Sequence, residues 1–201
     1  MKKSLILKST LIAALAAPML VSAESQLVVG AGSATARLDF RIIIPRVLFL
    51  GVGTGAATLG NNATIDMVTF DYSTNPAALG TGAAAAVITG NVVPVRVLGN
   101  NGQITLSAST TGALVNVDTP AYTIPWSEIS ATSSLAQLPS PVIPLTGPGA
   151  ASNVVLSSGT RITDRSANWT FAFANTALLP PGIYGATAAN NGRITYTAAM
   201  P

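Results

Sequence analysis

Between Glu24 and Pro201, apolar residues never sustain the i, i+3, i+4 spacing of an amphipathic helix; short alternating runs, stopped by Gly, Pro and Asn, take its place. That restricts the chain to short strands joined by turns. Residues 34–44 alternate most cleanly, with Ala36, Leu38, Phe40, Ile42 and Ile44 on one face and Arg37, Asp39, Arg41 and Ile43 on the other. Pro45 interrupts this run because it has no N–H to give to a ladder. Residues 46–50 resume as a strand that stops at Gly51-Val52-Gly53-Thr54-Gly55. Residues 64–72 are a further strand candidate, and 83–89, confined by Gly80, Gly82 and Gly90, read as strand or loop.

Residues 92–98 and 103–109 flank Gly99-Asn100-Asn101-Gly102. Asn-Gly predicts a hairpin there because both residues tolerate positive φ, and Pro94 predicts an edge or a bulge for the first of the two strands. Residues 119–149 hold Pro120, Pro125, Pro139, Pro141, Pro144 and Pro148, which predicts an extended surface connection pinned to the core by Trp126. Residues 153–157 and 169–174 read as strands, with Trp169, Phe171 and Phe173 on one core-facing side. Asn190-Asn191-Gly192 predicts a second hairpin between 183–188 and 193–199. Strands this short, at this spacing and chain length, predict one antiparallel β-sandwich.

The chain's three lysines, Lys2, Lys3 and Lys8, all precede an apolar stretch from Leu11 to Val21, which closes on Val21-Ser22-Ala23. This reads as a secretory signal peptide over residues 1–23, with cleavage starting the mature chain at Glu24. The stretch is too short for a membrane span, and no later segment supplies one. The whole chain has 10 basic and 7 acidic residues and a net charge of +3; without the leader, seven arginines face seven acids. The basic balance therefore belongs to targeting, and nucleic acid and anionic membrane are not implied as partners. Charged residues are only 8%, so Ser, Thr, Asn and Gly must cover the surface, as suits an exported protein that associates with other surfaces.

Absent residue types bound the chemistry. There is no cysteine for a disulfide or thiol nucleophile and no histidine for general base or metal work. The mature chain would also lack lysine, which removes Schiff-base chemistry. The seven carboxylates, Glu24, Asp39, Asp66, Asp71, Asp118, Glu128 and Asp164, are scattered except for Asp66 and Asp71. Catalysis, cofactors and a metal site are not expected, although Asp66 and Asp71 beside Asn61 and Asn62 are the place to look for calcium. A hydrolase would need two of these carboxylates to converge in a cleft.

Three stretches carry a resemblance to a known family: the alternating run and second strand in ATARLDFRIIIPRVLFL, the Thr/Ser-rich strand entered through NNGQITLSAS, and the ending PPGIYGATAANNGRITYTAAMP. Together they resemble the cysteine-free pilin subunits of bacterial chaperone–usher fimbriae. The resemblance implies an immunoglobulin-like β-sandwich that lacks one strand, filled by a neighbour's N-terminal extension. Two departures stand out. Tyr196 is five residues from Pro201, where the family has a penultimate tyrosine, and the alternating run leads straight into Pro45.

On that likeness, residues 24–45 are an N-terminal extension or a first strand and 46–201 the sandwich. Leu38, Phe40, Ile42 and Ile44 are the candidate donor contacts, each worth roughly 1.5–3 kcal/mol on full burial. The implied role is a non-catalytic structural subunit of a surface fimbria, exported through the periplasm. Its partners would be copies of itself or related fimbrial subunits, with a periplasmic chaperone and an outer-membrane usher. The alternative is a self-contained secreted β-sandwich that binds a glycan or surface protein through Tyr122 and Trp126. In that case residues 34–44 are a strand of the protein's own core.

Overall fold

The structure is a computed structural model that describes residues 24–201; the expected export segment, residues 1–23, lies outside them. The chain divides between Ile44 and Pro45 into two units. In the first, residues 24–44 form neither helix nor strand, and the chain bends only at Gly30, Ala31 and Gly32. Among the described residues no helix is long and apolar enough to cross a membrane.

The second unit, Pro45–Pro201, holds twelve strands among short 3-10 turns: β1 (Leu48–Val52), β2 (Thr69–Asp71), β3 (Val87–Thr89), β4 (Val92–Gly99), β5 (Ile104–Thr110), β6 (Leu114–Val115), β7 (Thr123–Ile124), β8 (Ile129–Ser133), β9 (Gly147–Pro148), β10 (Ser152–Val154), β11 (Thr163–Phe173) and β12 (Thr195–Ala199). One antiparallel sheet runs β1-β4-β11-β8, and a second runs β10-β5-β12 with β9 also paired to β5. Two small ribbons, β2-β3 and β6-β7, stand apart from these. Period-2 patterning builds the core. Val93, Val95 and Val97 of β4 and Trp169 and Phe171 of β11 face Ile104 and Leu106 of β5 and Val154 of β10, with Leu138 between. This is the expected all-β, immunoglobulin-like sandwich.

The Asn100-Asn101-Gly102 stretch does not close a hairpin. β4 and β5 lie in different sheets, and the loop carries the chain across the core. Neither Asn100 nor Asn101 takes positive φ, which the two-residue turn requires, whereas Gly102 does at 109°. Burial decides the outcome, because both strands have apolar inward faces that can be covered at once only by facing each other. The second predicted hairpin fails as well. Gly185 and Ala186 take positive φ and break residues 183–188, and a 3-10 turn over Ala188–Asn190 leads to Asn191 at φ 56°. β12 pairs instead with distant β5.

Pro94 sits in a central strand rather than at an edge. Its carbonyl accepts Gly53 N–H at 2.8 Å, so its nitrogen faces the same neighbour, one residue beyond the end of β1. The Gly53 carbonyl, which an N–H at position 94 would have met, accepts Ala56 N–H at 3.0 Å instead, so the missing donor leaves no acceptor unpaired. Residues 119–149 are likewise more than a surface connection, since they supply β8 and the buried Ile124, Trp126, Leu138 and Pro141. Ser133 Oγ donates within reach of both the Leu135 and Leu138 carbonyls, which turns the chain back into the core without N–H groups from the prolines.

Candidate strand-assembly site

In residues 24–44, the bend at Gly30–Gly32 brings the two arms together. Glu24 accepts a bidentate pair from Arg37 at 2.8–3.1 Å, and Gln26 Oε1 accepts Thr35 N–H at 3.0 Å. The Glu24 carboxylate raises the Arg37 pKa further. Beyond Arg37 nothing folds the chain. Leu38, Phe40, Ile42 and Ile44 are 77–84% exposed, and Ile43 is exposed too. Five large apolar side chains in seven residues is a dense patch to leave in water.

The second unit, taken by itself, has an open strand edge. Gly149 N–H donates to Ala108 O at 2.8 Å, so the even-numbered residues of β5 bond towards β9 and β10, and the odd-numbered ones bond β12. In the β12 register, Thr195, Thr197 and Ala199 therefore turn their backbone groups to β5. Tyr196 and Ala198 turn theirs outward, where no strand pairs with them among the described residues. The same alternation on β1, continued by the Gly53–Pro94 bond, leaves the backbone groups of Leu48, Leu50 and Val52 facing away from β4. β1 and β12 approach within 8 Å between Cα atoms yet share no ladder.

The side chains along this seam are not fully covered. Leu50, Val52, Tyr196, Ala198 and Met200 pack against the core while staying partly exposed. In the immunoglobulin scheme, sheet A-B-E-D corresponds to β1-β4-β11-β8, and β5 and β12 take places C and F. The next place, G, lies beside β12 and is taken by no strand among the described residues.

One loop closes an end of the seam. Asn100 Oδ1 accepts Val47 N–H at 2.9 Å, Asn100 Nδ2 donates to Pro45 O at 2.8 Å, and Asn100 N–H donates to Val47 O at 3.3 Å. Pro201 O accepts from Asn101 Nδ2 at 2.6 Å and from Arg46 at 3.1 Å. The start of β1 and the chain just past β12 are thus held by adjacent residues of the β4–β5 loop. Sequence reasoning gave Asn100 and Asn101 to a hairpin turn, and no local signal reveals the clamp because its partners are 53–100 residues away.

The other candidate residues do not converge. Trp126 is buried and donates its indole N–H to Gly112 O at 2.7 Å, acting as the expected tether, while Tyr122 is half-exposed. Trp126 also walls a shallow apolar cleft of about 460 Å³ beside β8, with Ile129, Pro141, Val142 and Leu145. Four of the carboxylates have separate partners: Asp66 is held by Thr54, Asp71 by Ser73, Glu128 by Thr176 and Asp164 by Arg96. The Ser73 hydroxyl and N–H lower the Asp71 pKa. Among the described residues no three carboxylates are placed to hold a metal ion. Two buried asparagines escaped sequence reasoning. Asn175 binds Gly80 N–H and the carbonyls of Ala78 and Ala83, and Asn116 binds Asp118 and Thr119 N–H and Pro181 O.

No known protein family, curated protein or solved structure matches the chain in comparison.

Proposed function

We propose that this protein is a non-catalytic structural subunit of a bacterial surface fimbria, polymerising when residues 38–44 of one copy add as a strand beside β12 of another. One observation carries the reading. The same chain holds an exposed alternating apolar segment and a sandwich whose β12 and β1 edges are both unpaired among the described residues. Strand addition uses each for the other. The backbone groups of Tyr196 and Ala198 gain ladder partners, and Leu38, Phe40, Ile42 and Ile44 cover the surface that the core side chains of the seam still expose. Full burial of those four side chains stabilises the joint by roughly 6–12 kcal/mol in gross apolar terms, before the ordering of the extension is subtracted. On this reading the chain is exported, a periplasmic chaperone shields the edge in transit, and an outer-membrane usher orders assembly.

The test is solution mass of the exported, processed protein with and without residues 24–44. We expect concentration-dependent, denaturant-resistant oligomers from the complete protein and monomers from the truncated one. Oligomers that survive the truncation would sink the proposal.

A further inference from the structure

An exposed donor and an open seam in one chain raise the question of which copy's seam is filled. That choice exists only if strand donation, as proposed above, is how the chain assembles. Entry into its own seam would require residues 34–44 to reverse direction at once, because only three residues separate Ile44 from β1. β1 starts at the same end of the sandwich where β12 finishes, since Val47 and Pro201 are both held by the Asn100-Asn101 loop. A returning segment would have to turn within Ile44-Pro45-Arg46-Val47. That tetrapeptide is well suited to turn, as Pro at the second position is preset for type I geometry. It does not turn: Pro45, Arg46 and Val47 pass into β1 without a bend.

Asn100 accounts for this. Its side chain and backbone together bond Pro45 O, Val47 N–H and Val47 O, which are the groups a reversal would have to redirect. Arg46 adds a bar across the seam's mouth, reaching from the start of β1 to Pro201 O. We infer that Asn100, with Arg46, is the positioning device that denies the extension its own seam and reserves it for another copy. The clamp's polar groups are solvent-accessible, so water replaces the lost bonds in an Asn100→Ala variant and the sandwich still folds. Asn100→Ala releases the two side-chain bonds and keeps the backbone one, which shifts the balance between self-closure and exchange by on the order of tenfold or more.

The experiment compares the exported, processed wild-type protein with Asn100→Ala and Arg46→Ala. It reads solution mass, amide hydrogen exchange of residues 38–44 at low concentration, and binding of a fluorescent peptide of sequence 34–44. We expect the wild type to oligomerise, to exchange freely at 38–44 as a monomer, and to take up the peptide. Asn100→Ala should shift towards monomers whose 38–44 amides are protected and which bind the peptide at least tenfold more weakly. Arg46→Ala should move the same way by less, and it serves as the second route should Asn100→Ala misfold. Variants that oligomerise and bind peptide as the wild type does would overturn the clamp and leave strand donation standing. A wild-type monomer already protected at 38–44 would overturn it as well. A wild type that neither oligomerises nor binds peptide, with 38–44 unprotected, would bring down strand donation itself.

Discussion

β11 and β12 both alternate, both belong to antiparallel sheets, and each contributes an aromatic ring to the same contact. Trp169 and Tyr196 meet with ring centroids 5.0 Å apart, tilted by 57°. Their surroundings differ. β11 is paired along both edges, to β4 and to β8, and Trp169 is wholly buried, with its indole N–H donating to Leu138 O at 3.3 Å. β12 is paired to β5 alone, Tyr196 keeps part of its surface, and its hydroxyl finds no protein partner among the described residues. Alternation chooses which side chains point inward. The number of neighbouring strands decides how completely they are covered, and β12, paired on one side, is the less covered of the two.

The largest effect that sharpens this contrast is on β11. Trp169→Ala should destabilise the sandwich by about 3–5 kcal/mol in chemical denaturation, because it removes a fully enclosed side chain that both sheets have closed around. Tyr196→Ala on the open strand should cost distinctly less. Equal losses would mean that β12 is as well covered as β11 and would undo the argument for an open edge.

A smaller effect separates the two strands by pH. Burial pushes the Tyr196 phenol well above its ordinary value of about 10. The folded protein therefore keeps that proton at a pH where the unfolded chain has released it, and the unfolded state binds fewer protons. Stability attributable to Tyr196 is present below pH 10 and is lost as pH rises beyond it, by up to about 1.4 kcal/mol per pH unit. Burial raises the Tyr72 phenol as well, so the measurement is the difference between wild type and Tyr196→Phe in denaturation from pH 8 to 11. The variant should match or exceed wild type at pH 8 and lose less on the way up. Parallel curves would place the Tyr196 hydroxyl in water.

These strands also show what was legible beforehand. Trp169 and Phe171 were readable as core because period 2 is a local property, whereas Phe173 on the same face lies outside the main cluster, against Phe70 and Tyr72. The Asn-Gly turns misled for the complementary reason. A turn signal states that the chain reverses, but whether the next strand pairs in the same sheet or faces it across the core depends on which apolar faces need cover. The candidate site divides the same way. Leu38, Phe40, Ile42 and Ile44 stood out by pattern, while the edge proposed to receive them did not, because Tyr196 and Ala198 are defined as outward only through the register with Ala108 and Leu106. Asn100, Asn116 and Asn175 were unreadable, since an asparagine that ties distant loops has the same sequence signature as one that makes a turn.

The smallest effect tests whether the two aromatics communicate. A cycle of Trp169→Ala, Tyr196→Ala and the double variant should give a coupling of about 0.5–1.5 kcal/mol, as expected for aromatic rings in tilted contact. Because Tyr196 keeps a small part of its surface in the separate molecule, strand addition beside β12 should restrict its ring and bring the coupling to the upper end of that range. Repeating the cycle on protein saturated with the 34–44 peptide measures the change. A coupling that rises with peptide ties completion of the seam to the core beneath it. A coupling that stays fixed would mean that the donated strand covers β12 without altering how Tyr196 packs on Trp169, and the contrast between the two strands would then concern exposure alone.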